Sequence, residues 1–330
     1  MTPGATPPAH EDWRAPWQGR VDAADGEAGW RWHQVVQPWH DDPGPAAAPG
    51  VALLGLASDE GVRRNQGRTG AAEGPLALRR ALASLPAASA QPLIDAGTVP
   101  CLDNDLEAAQ SRYAQRAARL LDQGHLVIGL GGGHEIAWAS YQGLASLLQS
   151  GRARRLAIVN FDAHFDVRRD VQATSGTPFL QALEHARAHG WDTQYRVLGV
   201  SRAANTRALF DTARSLGVQW TLDEQMTLLH LEALRAELAQ WLEGFDAVYL
   251  TVCLDVLPAA TAPGVSAPAA RGVPLEVIEP LVQTVAACGR LRLADVAELN
   301  PRLDIDQRTA RTAARLVWQV AEAHRSACIP

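Results

Sequence analysis

From residue 51 onward, short apolar runs of strand length alternate with amphipathic stretches, and this alternation is the strongest constraint on the fold. Within the longer stretches apolar residues recur at helical spacing, as Leu106, Ala109, Tyr113, Ala117 and Leu120 do. Strands that alternate with helices are typical of βαβ units and a parallel sheet. The chain therefore predicts an α/β fold with a mainly parallel sheet. The predicted strands are VALLGLA, PLIDAGT, LVIGLG, LAIVNFDA, YRVLGVS, AVYLTVCLDV and LRLADVAEL.

The first 50 residues lack this periodicity and are rich in proline, glycine, tryptophan and acidic residues. We expect residues 1–50 to form an N-terminal extended arm or irregular cap. We expect residues 51–330 to form one α/β domain, because no shift in composition marks a linker. Five of the ten tryptophans lie in the arm, where burial against the domain would hold it in place. They are Trp13, Trp17, Trp30, Trp32 and Trp39.

The composition of the 330 residues favours a small-molecule partner. Hydrophobic residues make up 47% of the chain, enough for a large core, and the net charge of −6 arises from interspersed acidic and basic residues. We find no basic patch typical of nucleic-acid binding, no apolar run long enough for a membrane span and no secretory signal. Four widely spaced cysteines without a CxxC pair indicate a reducing compartment, which predicts a cytoplasmic protein.

The strongest chemical signal is the run NFDAHFD at residues 160–166, directly after a predicted buried strand. Its ligand-type residues Asp162, His164 and Asp166 are spaced two apart. Because strand side chains alternate between faces, the three would start on one face if the extended geometry continued past the strand end. Solvated polar residues in a loop are the alternative. We favour a convergent site, because the apolar strand leads straight into them.

The run CLD repeats this spacing at the end of another apolar strand. A free cysteine commonly behaves as a small buried hydrophobe, so Cys253 alone carries little weight. Asp255 carries more, because a carboxylate inside a hydrophobic run must be paired or bound to a metal. Both side chains can face one cavity.

A third signal, GLGGGHE at residues 129–135, places His134 between a predicted strand and a helix. A glycine-rich turn of this kind also resembles a dinucleotide-binding unit, with Asp162 as its ribose-binding acid. The G-x-G-x-x-G spacing is incomplete, however, because position 134 is histidine. The DxHxD cluster has no role in that fingerprint either.

Two imidazoles and at least three carboxylates at the ends of three strands predict a metal centre. This mixture favours Mn²⁺ or another first-row ion over a structural zinc site, which prefers thiolate and imidazole ligands. Bridging carboxylates would suit two ions. A site with two ions can lower the pKa of a water molecule and present a nucleophile at neutral pH.

These three motifs, in this order, resemble the ureohydrolase family, which includes arginases and agmatinases. The resemblance spans most of the chain and implies a three-layer α/β/α sandwich around a parallel sheet. It also implies a homo-oligomer, since family members commonly assemble. Further matching segments are NQGRTGAAEGP at 65–75, APGVSAPAARG at 262–272 and DVAELNP at 295–301.

Within this family the chain is most similar to the formimidoylglutamase branch, on the segments SGTPF at 175–179, WQGRVD at 17–22 and HQVV at 33–36. The resemblance implies that two Mn²⁺ ions share Asp162 and residue 253 as ligands. One ion would also bind His134 and Asp166, and the other His164 and Asp255.

The sequence departs from the family pattern at Cys253, where a typical member carries a second bridging aspartate. A thiolate is a softer ligand than a carboxylate and suits Zn²⁺ or Fe²⁺ better than Mn²⁺. We therefore expect the metal preference or the occupancy of the second site to differ from that of a typical member.

The substrate that the resemblance implies is N-formimino-L-glutamate, hydrolysed to L-glutamate and formamide in histidine degradation. Asp166 would carry a proton to the departing amine, and Glu298 would pair with the cationic formimino group. Arg68 would bind a substrate carboxylate, or support its own loop. Asn65 and Ser175 complete the predicted substrate-binding residues.

Two alternatives stay open at this point. Agmatinase-like members carry histidine where this chain has Ser175, which weakens the prediction of a guanidino substrate without removing it. The other alternative is a degenerate, non-catalytic binding protein marked by Cys253; the presence of every other ligand argues against it.

Overall fold

The computed structural model describes residues 13–40, 48–87 and 91–328, and within them nine strands alternate with ten helices. The strands are β1 (Gln37–Pro38), β2 (Val51–Ala57), β3 (Leu93–Pro100), β4 (Leu126–Leu130), β5 (Arg155–Phe161), β6 (Asp192–Val200), β7 (Gln219–Leu222), β8 (Ala247–Cys253) and β9 (Leu291–Ala297). The helices are α1 (Trp32–Val35), α2 (Glu60–Arg64), α3 (Gly74–Ala83), α4 (Leu106–Asp122), α5 (Ile136–Gln149), α6 (Pro178–Ala188), α7 (Arg207–Ser215), α8 (Leu231–Leu242), α9 (Leu275–Ala286) and α10 (Arg308–Cys328).

All nine strands form one sheet in the order β1-β3-β2-β4-β9-β8-β5-β6-β7, and every neighbouring pair is parallel. The central strands β4 and β8 are buried along their whole length. This is the pattern of a parallel sheet that is covered on both faces.

Helices cover the two faces of the sheet and form two separate cores. The residues of α3, α8, α9 and α10 pack with one set of strand side chains, and those of α4, α5, α6 and α7 pack with the other. Successive residues of β2 divide between the cores, with Leu53 in the first and Leu54 in the second. The three-layer α/β/α sandwich predicted from the sequence is confirmed.

Each of the seven predicted apolar runs forms a strand, and two short strands were missed. AVYLTVCLDV stays extended only to Cys253 and then enters a 3-10 turn at Leu254–Val256. The missed strands are β1 and β7, of two and four residues. Both lie at the edges of the sheet, where short, partly exposed strands need no continuous apolar run.

The described part of the N-terminal segment packs on the sheet through its tryptophans. Trp17 and Trp32 are buried in one core, while Trp13 and Trp39 lie against the margins of the two cores. Trp30 is 42% exposed, so the expected burial fails at that residue. Residues 1–12 and 41–47 of the predicted arm lie outside the described residues. No helix in the described ranges is both long and apolar enough to cross a membrane.

Candidate metal centre and active site

The candidate residues gather where β4, β9, β8 and β5 end, four neighbouring strands at the middle of the sheet. A parallel sheet collects ligands at this edge, beyond the carboxyl ends of its strands. A cleft of about 580 Å³ opens there. Its walls include nine of the residues predicted from the sequence: Asn65, Arg68, His134, His164, Asp166, Ser175, Cys253, Asp255 and Glu298. The tenth, Asp162, lies fully buried beside them.

The candidate ligands form two groups. His134 belongs to the first group and is positioned by the glycine turn after β4. A Cβ atom on Gly132 would lie 1.8 Å from the carbonyl oxygen of Ser58, so only glycine allows this close approach. The His134 Nδ1 atom lies 3.0 Å from Asp162 Oδ2 and 2.9 Å from Asp166 Oδ2. It forms a hydrogen bond with neither, although it is buried. The imidazole and the two carboxylates are therefore close to one another, but their relative angles do not fit a hydrogen bond.

The second group forms around His164, whose Nδ1 atom lies 3.1 Å from Asp255 Oδ2 and 3.4 Å from Asp162 Oδ1. The backbone N–H of His164 donates to Asp162 Oδ1 at 2.7 Å, which fixes that carboxylate. The other oxygen of Asp255, Oδ1, is buried without a hydrogen-bond partner.

These contacts fit metal ligation. The donor atoms of His134, Asp162 and Cys253 lie within 4.8 Å of one another, as do those of Asp162, His164 and Asp255. Neighbouring ligands of an octahedral ion at about 2.1 Å lie about 3 Å apart, close to the distances seen around His134. Asp162 belongs to both groups, with Oδ2 near His134 and Oδ1 near His164, so it could contribute to the binding of two ions. Asp166 lies next to the first group, since its Oδ2 atom is 2.9 Å from His134 Nδ1.

The burial of so many acidic groups shifts their pKa values, and a cation would offset the shifts. Burial and the charge of Asp162 together raise the pKa of Asp166 to about 6, although His134 and His164 act in the opposite direction. Burial likewise raises the pKa of the Cys253 thiol well above its usual value, with added repulsion from Asp162 and Asp255. For Asp162 the burial effect is outweighed by His134 and His164, which hold its pKa below the usual range.

Glu298 faces the same cleft from the end of β9. Its Oε1 atom accepts a hydrogen bond from the backbone N–H of His134 at 3.0 Å, while Oε2 is buried without a partner. Burial raises its pKa to about 8, with a further contribution from the charge of Asp255. Glu298 and Asp166 both have left-handed backbones, with φ of 73° and 49°. Such strain in residues other than glycine is concentrated at functional sites.

The predicted substrate-binding residues line the outer part of the cleft. Asn65 donates from Nδ2 to Ser175 Oγ at 3.2 Å. Arg68 donates from Nε to the carbonyl of Ser266 at 2.8 Å and from Nη2 to the carbonyl of Val265 at 2.6 Å. The Arg68 guanidinium thus supports its neighbouring loop and also borders the cleft.

Several residues around the site were missed in the sequence. The amide of Asn160 donates to Asp162 Oδ2 at 3.1 Å, and Thr251 Oγ1 lies 3.0 Å from His134 Nε2. A polar residue inside an apolar strand was the available signal in both cases. Arg168 and Asp170 also line the cleft, two and four residues beyond the recognised DxHxD run.

The fold and the site together define a class: an α/β protein with two groups of candidate metal ligands at the carboxyl edge of its sheet. The profile described as the Arginase family matches residues 49–322, and the chain belongs to the arginase family. The resemblance drawn from the motifs is therefore confirmed.

Individual relatives are similar over nearly the whole chain. A formimidoylglutamase of Ralstonia nicotianae is 55% identical over 311 residues, which are 93% of this chain and 94% of that protein. The crystal structure of formimidoylglutamase from Bacillus subtilis has a TM-score of 0.79 at 22% identity and covers 91% of this chain and 93% of its own. A Trypanosoma cruzi formiminoglutamase structure with Mn²⁺ has a TM-score of 0.74 at 25% identity, covering 86% and 95%.

Proposed function

We propose that this protein hydrolyses N-formimino-L-glutamate to L-glutamate and formamide, a step of histidine degradation. The observation that carries the proposal is the unpartnered Oε2 of buried Glu298, which borders the same cleft as the two metal-ligand groups. A buried carboxylate oxygen without a partner suits a cationic amidine group. The 55% identity to a protein named formimidoylglutamase supports the same substrate.

We propose two bound divalent ions, with Mn²⁺ as the first candidate. His134, Asp162, Asp166 and Cys253 would hold one ion, and Asp162, His164, Cys253 and Asp255 the other. The donor distances around His134 and His164 support this assignment. So does the Mn²⁺ in the structure of the T. cruzi relative. The Cys253 thiol makes Zn²⁺ or Fe²⁺ the alternative.

When bound, the metal pair supplies a water molecule acidic enough to act as a nucleophile near neutral pH. The role of Glu298 is to bind the formimino group. Its free oxygen accepts a hydrogen bond from the amidinium nitrogen and so holds the formimino carbon at the metal edge of the cleft. Binding of the cation favours the ionised form of Glu298, against the burial that raises its pKa.

Asp166 is the proposed proton carrier. As the oxygen of water bonds to the formimino carbon, the bond from that carbon to the glutamate nitrogen breaks. The nitrogen needs a proton to leave as an amine, and the Asp166 carboxylate can accept a proton from the attacking water and pass it to that nitrogen. Asp166 also borders the cleft, so the proton has a short path to the leaving group.

Asn65, Ser175 and Arg68 are the proposed contacts to the glutamate part of the substrate. Ser175 is buried and Asn65 is exposed, and their hydrogen bond places both polar groups at one wall of the cleft. Arg68 adds a positive charge at the wall formed by the loop of Ser266.

The test is an assay of the protein reconstituted with Mn²⁺ against N-formimino-L-glutamate, N-formyl-L-glutamate, agmatine and arginine. We expect glutamate and formamide from the first compound alone. Turnover of agmatine or arginine would show instead that the substrate is a guanidino compound. If none of the four compounds is hydrolysed and the protein retains no metal, the alternative of a degenerate, non-catalytic binding protein is favoured.

We propose further that the protein is a cytoplasmic homo-oligomer. The three cysteines whose side chains are described, Cys101, Cys253 and Cys288, are free thiols, which suits a reducing compartment. Light scattering of the purified protein tests the assembly, and a monomeric mass would contradict it.

A further inference from the structure

A second cavity lies at the amino edge of the sheet, where β4 and β9 begin. Its volume is about 260 Å³, and its walls include His125, directly before β4, and the first two residues of β9, Leu291 and Arg292. The same two strands end at the opposite edge of the sheet, beside the cleft that contains His134 and Glu298. A strand of seven residues such as β9 spans about 23 Å. This amino-edge cavity is therefore separate from the metal centre.

His125 presents a hydrogen-bond donor that no protein group uses. The backbone N–H of Gly50 donates to His125 Nδ1 at 3.0 Å, so Nδ1 carries a lone pair and the proton of the neutral ring is on Nε2. Burial lowers the pKa of His125, which keeps the ring neutral near pH 7. The residue is 6% exposed, and its Nε2–H has no partner within the described ranges. Buried donors are normally satisfied, so this N–H indicates an acceptor inside the cavity.

Arg292 supplies a positive charge to the same cavity. The other arginine there, Arg152, is paired with Asp122. Asp246 also borders the cavity, and its Oδ2 atom accepts from the backbone N–H groups of residues 154 and 155, which partly balance its charge. The exposed side chain of Arg292 has neither a hydrogen bond nor an ion pair with any residue that the structure describes. Its guanidinium is therefore free to bind an anion.

Much of the remaining wall is apolar. Four leucines contribute to it, and each is at most 7% exposed: Leu121, Leu126, Leu147 and Leu291. An inorganic anion would leave this apolar surface in contact with water, whereas a short hydrocarbon chain would cover it. The volume lies just below the usual range for drug-sized ligands, about 300–1,000 Å³. The ligand must therefore be small, and it should carry both an acidic and an apolar group.

We infer that the amino-edge cavity binds a small monocarboxylate with an apolar tail. The carboxylate accepts a hydrogen bond from His125 Nε2 and pairs with the Arg292 guanidinium, while the tail lies against the leucines. Such a ligand contacts the beginning of both β4 and β9, so its binding stabilises the pairing of these strands. The inference goes beyond the proposed hydrolysis and does not depend on it.

The first experiment is isothermal titration calorimetry of the Mn²⁺-loaded protein with four probes: isovalerate, acetate, inorganic phosphate and the uncharged isovaleramide. We expect isovalerate to bind with a Kd on the order of 1 mM or tighter, a plausible affinity for so small a ligand. Acetate and phosphate should bind at least about tenfold more weakly, because neither covers the leucines. Isovaleramide should give no detectable binding, since it cannot pair with the guanidinium.

The second experiment repeats the isovalerate titration with variants. Arg292→Gln should weaken binding by about tenfold or more, the usual effect of losing a charged hydrogen bond. His125→Phe keeps an aromatic ring and removes the donor, so binding should weaken by about three- to tenfold. Its Tm is measured alongside, because the ring also accepts from Gly50. Arg187→Gln is the matched control: it removes the same charge from an exposed residue outside the cavity and should bind like wild type.

Three outcomes would overturn the inference. Isovalerate binding that is unchanged in Arg292→Gln would mean that the carboxylate binds elsewhere, such as at the metal centre. Phosphate or isovaleramide binding as tightly as isovalerate would show that the cavity does not require both groups. The absence of binding by isovalerate would exclude the site. None of these results depends on turnover, so the hydrolysis assay stands or fails separately.

Discussion

Among the single side chains of the proposed metal centre, Cys253 is the most informative about metal preference. It is 2% exposed and lies with His134 and Asp162 in one ligand group. Every other donor in the two groups is a carboxylate or an imidazole. The thiol is therefore the one soft donor among ligands that suit Mn²⁺.

We predict that Cys253→Asp shifts metal selectivity toward manganese. A carboxylate is a harder donor than a thiolate, so the ratio of bound Mn²⁺ to Zn²⁺ should rise by about tenfold, equivalent to about 1.4 kcal/mol. The measurement is metal content by mass spectrometry after dialysis against equal concentrations of both ions. Cys253→Ser is the size-matched control for loss of the thiol. Identical ratios in wild type and Cys253→Asp would show that the thiol is not a ligand.

Glu298 leads to a second prediction at this scale. Glu298→Gln keeps the size of the side chain and removes the charge that would pair with the amidinium, so kcat/KM should fall by about 100-fold or more. Metal content should not change, because Glu298 belongs to neither ligand group. Loss of bound metal together with activity would instead identify Glu298 as part of the metal centre.

The sequence predicted the metal-ligand candidates better than the residues that surround them. Asp162, His164 and Asp255 follow apolar strands in a regular spacing, so a local pattern was enough to single them out. The importance of Thr251 depends on its contact with His134. These two residues are distant in the chain, so no local pattern contains the contact.

At the scale of elements, the turn between β4 and α5 positions one imidazole through close backbone packing. Gly132 donates its N–H to Leu56 at 3.0 Å and accepts from the N–H of Glu298 at 2.8 Å through its carbonyl. The turn is thus fixed between the end of β2 and the end of β9. The glycines of this turn are explained by the close approach of the neighbouring backbones. The dinucleotide-binding alternative is not needed to explain them.

We predict that Gly132→Ala displaces this turn. The added Cβ would lie 1.8 Å from a backbone oxygen, which cannot rotate away, so the free energy of unfolding should fall by about 3 kcal/mol or more. Metal affinity should fall as well, because His134 moves with the turn. Denaturant unfolding and metal titration measure the two effects. Gly244→Ala is the control, since its nearest neighbour is the flexible end of Arg155 at 3.3 Å, and it should behave like wild type. Wild-type stability in Gly132→Ala would contradict the packing argument.

The elements themselves were largely predictable because the central strands are continuous apolar runs. β2 was predicted to the residue, and the predicted run at β8 was too long only because its last three residues form a 3-10 turn. The edge strands β1 and β7 escaped prediction. Their pairing depends on the neighbouring strand more than on their own composition.

At the scale of the whole molecule, a buried polar contact joins the N-terminal segment to the sheet. Trp17 Nε1 donates to Asp95 Oδ2 at 2.7 Å, and Arg79 binds the same carboxylate with Nε at 2.9 Å and Nη2 at 2.8 Å. Asp95 is 6% exposed, and these partners offset the cost of burying its carboxylate. Residues 13–40 are therefore part of the folded body.

Trp17→Phe tests this contact. The substitution keeps most of the apolar volume and removes the indole N–H, so we predict a loss of about 1–2 kcal/mol and a fall in Tm of about 1–3 °C. Calorimetry of the metal-loaded protein measures the shift. Trp30→Phe, at an exposed position, should change the stability by less than about 0.5 kcal/mol. Equal Tm shifts in the two variants would show that the Asp95 contact contributes nothing specific.

The strand order of the sheet also has a consequence for the order in which the proposed metal centre can be assembled. Strands β1 to β4 form one side of the sheet and β5 to β8 the other, and β9, the last strand made, lies between them and pairs with β4 and β8. In a nascent chain that has not yet reached residue 291, no strand joins the two halves of the sheet. His134 follows a strand of one half, and Asp162 follows a strand of the other. Pairing of β9 with β4 and β8 joins the two halves and also brings Glu298, which directly follows β9, to the cleft. We therefore expect the ligand group of His134, Asp162 and Cys253 to be completed only after β9 has been made, whereas Asp162, His164 and Asp255 all follow strands of one half. A chain cut short before β9 lacks both the first group and the strand that joins its halves.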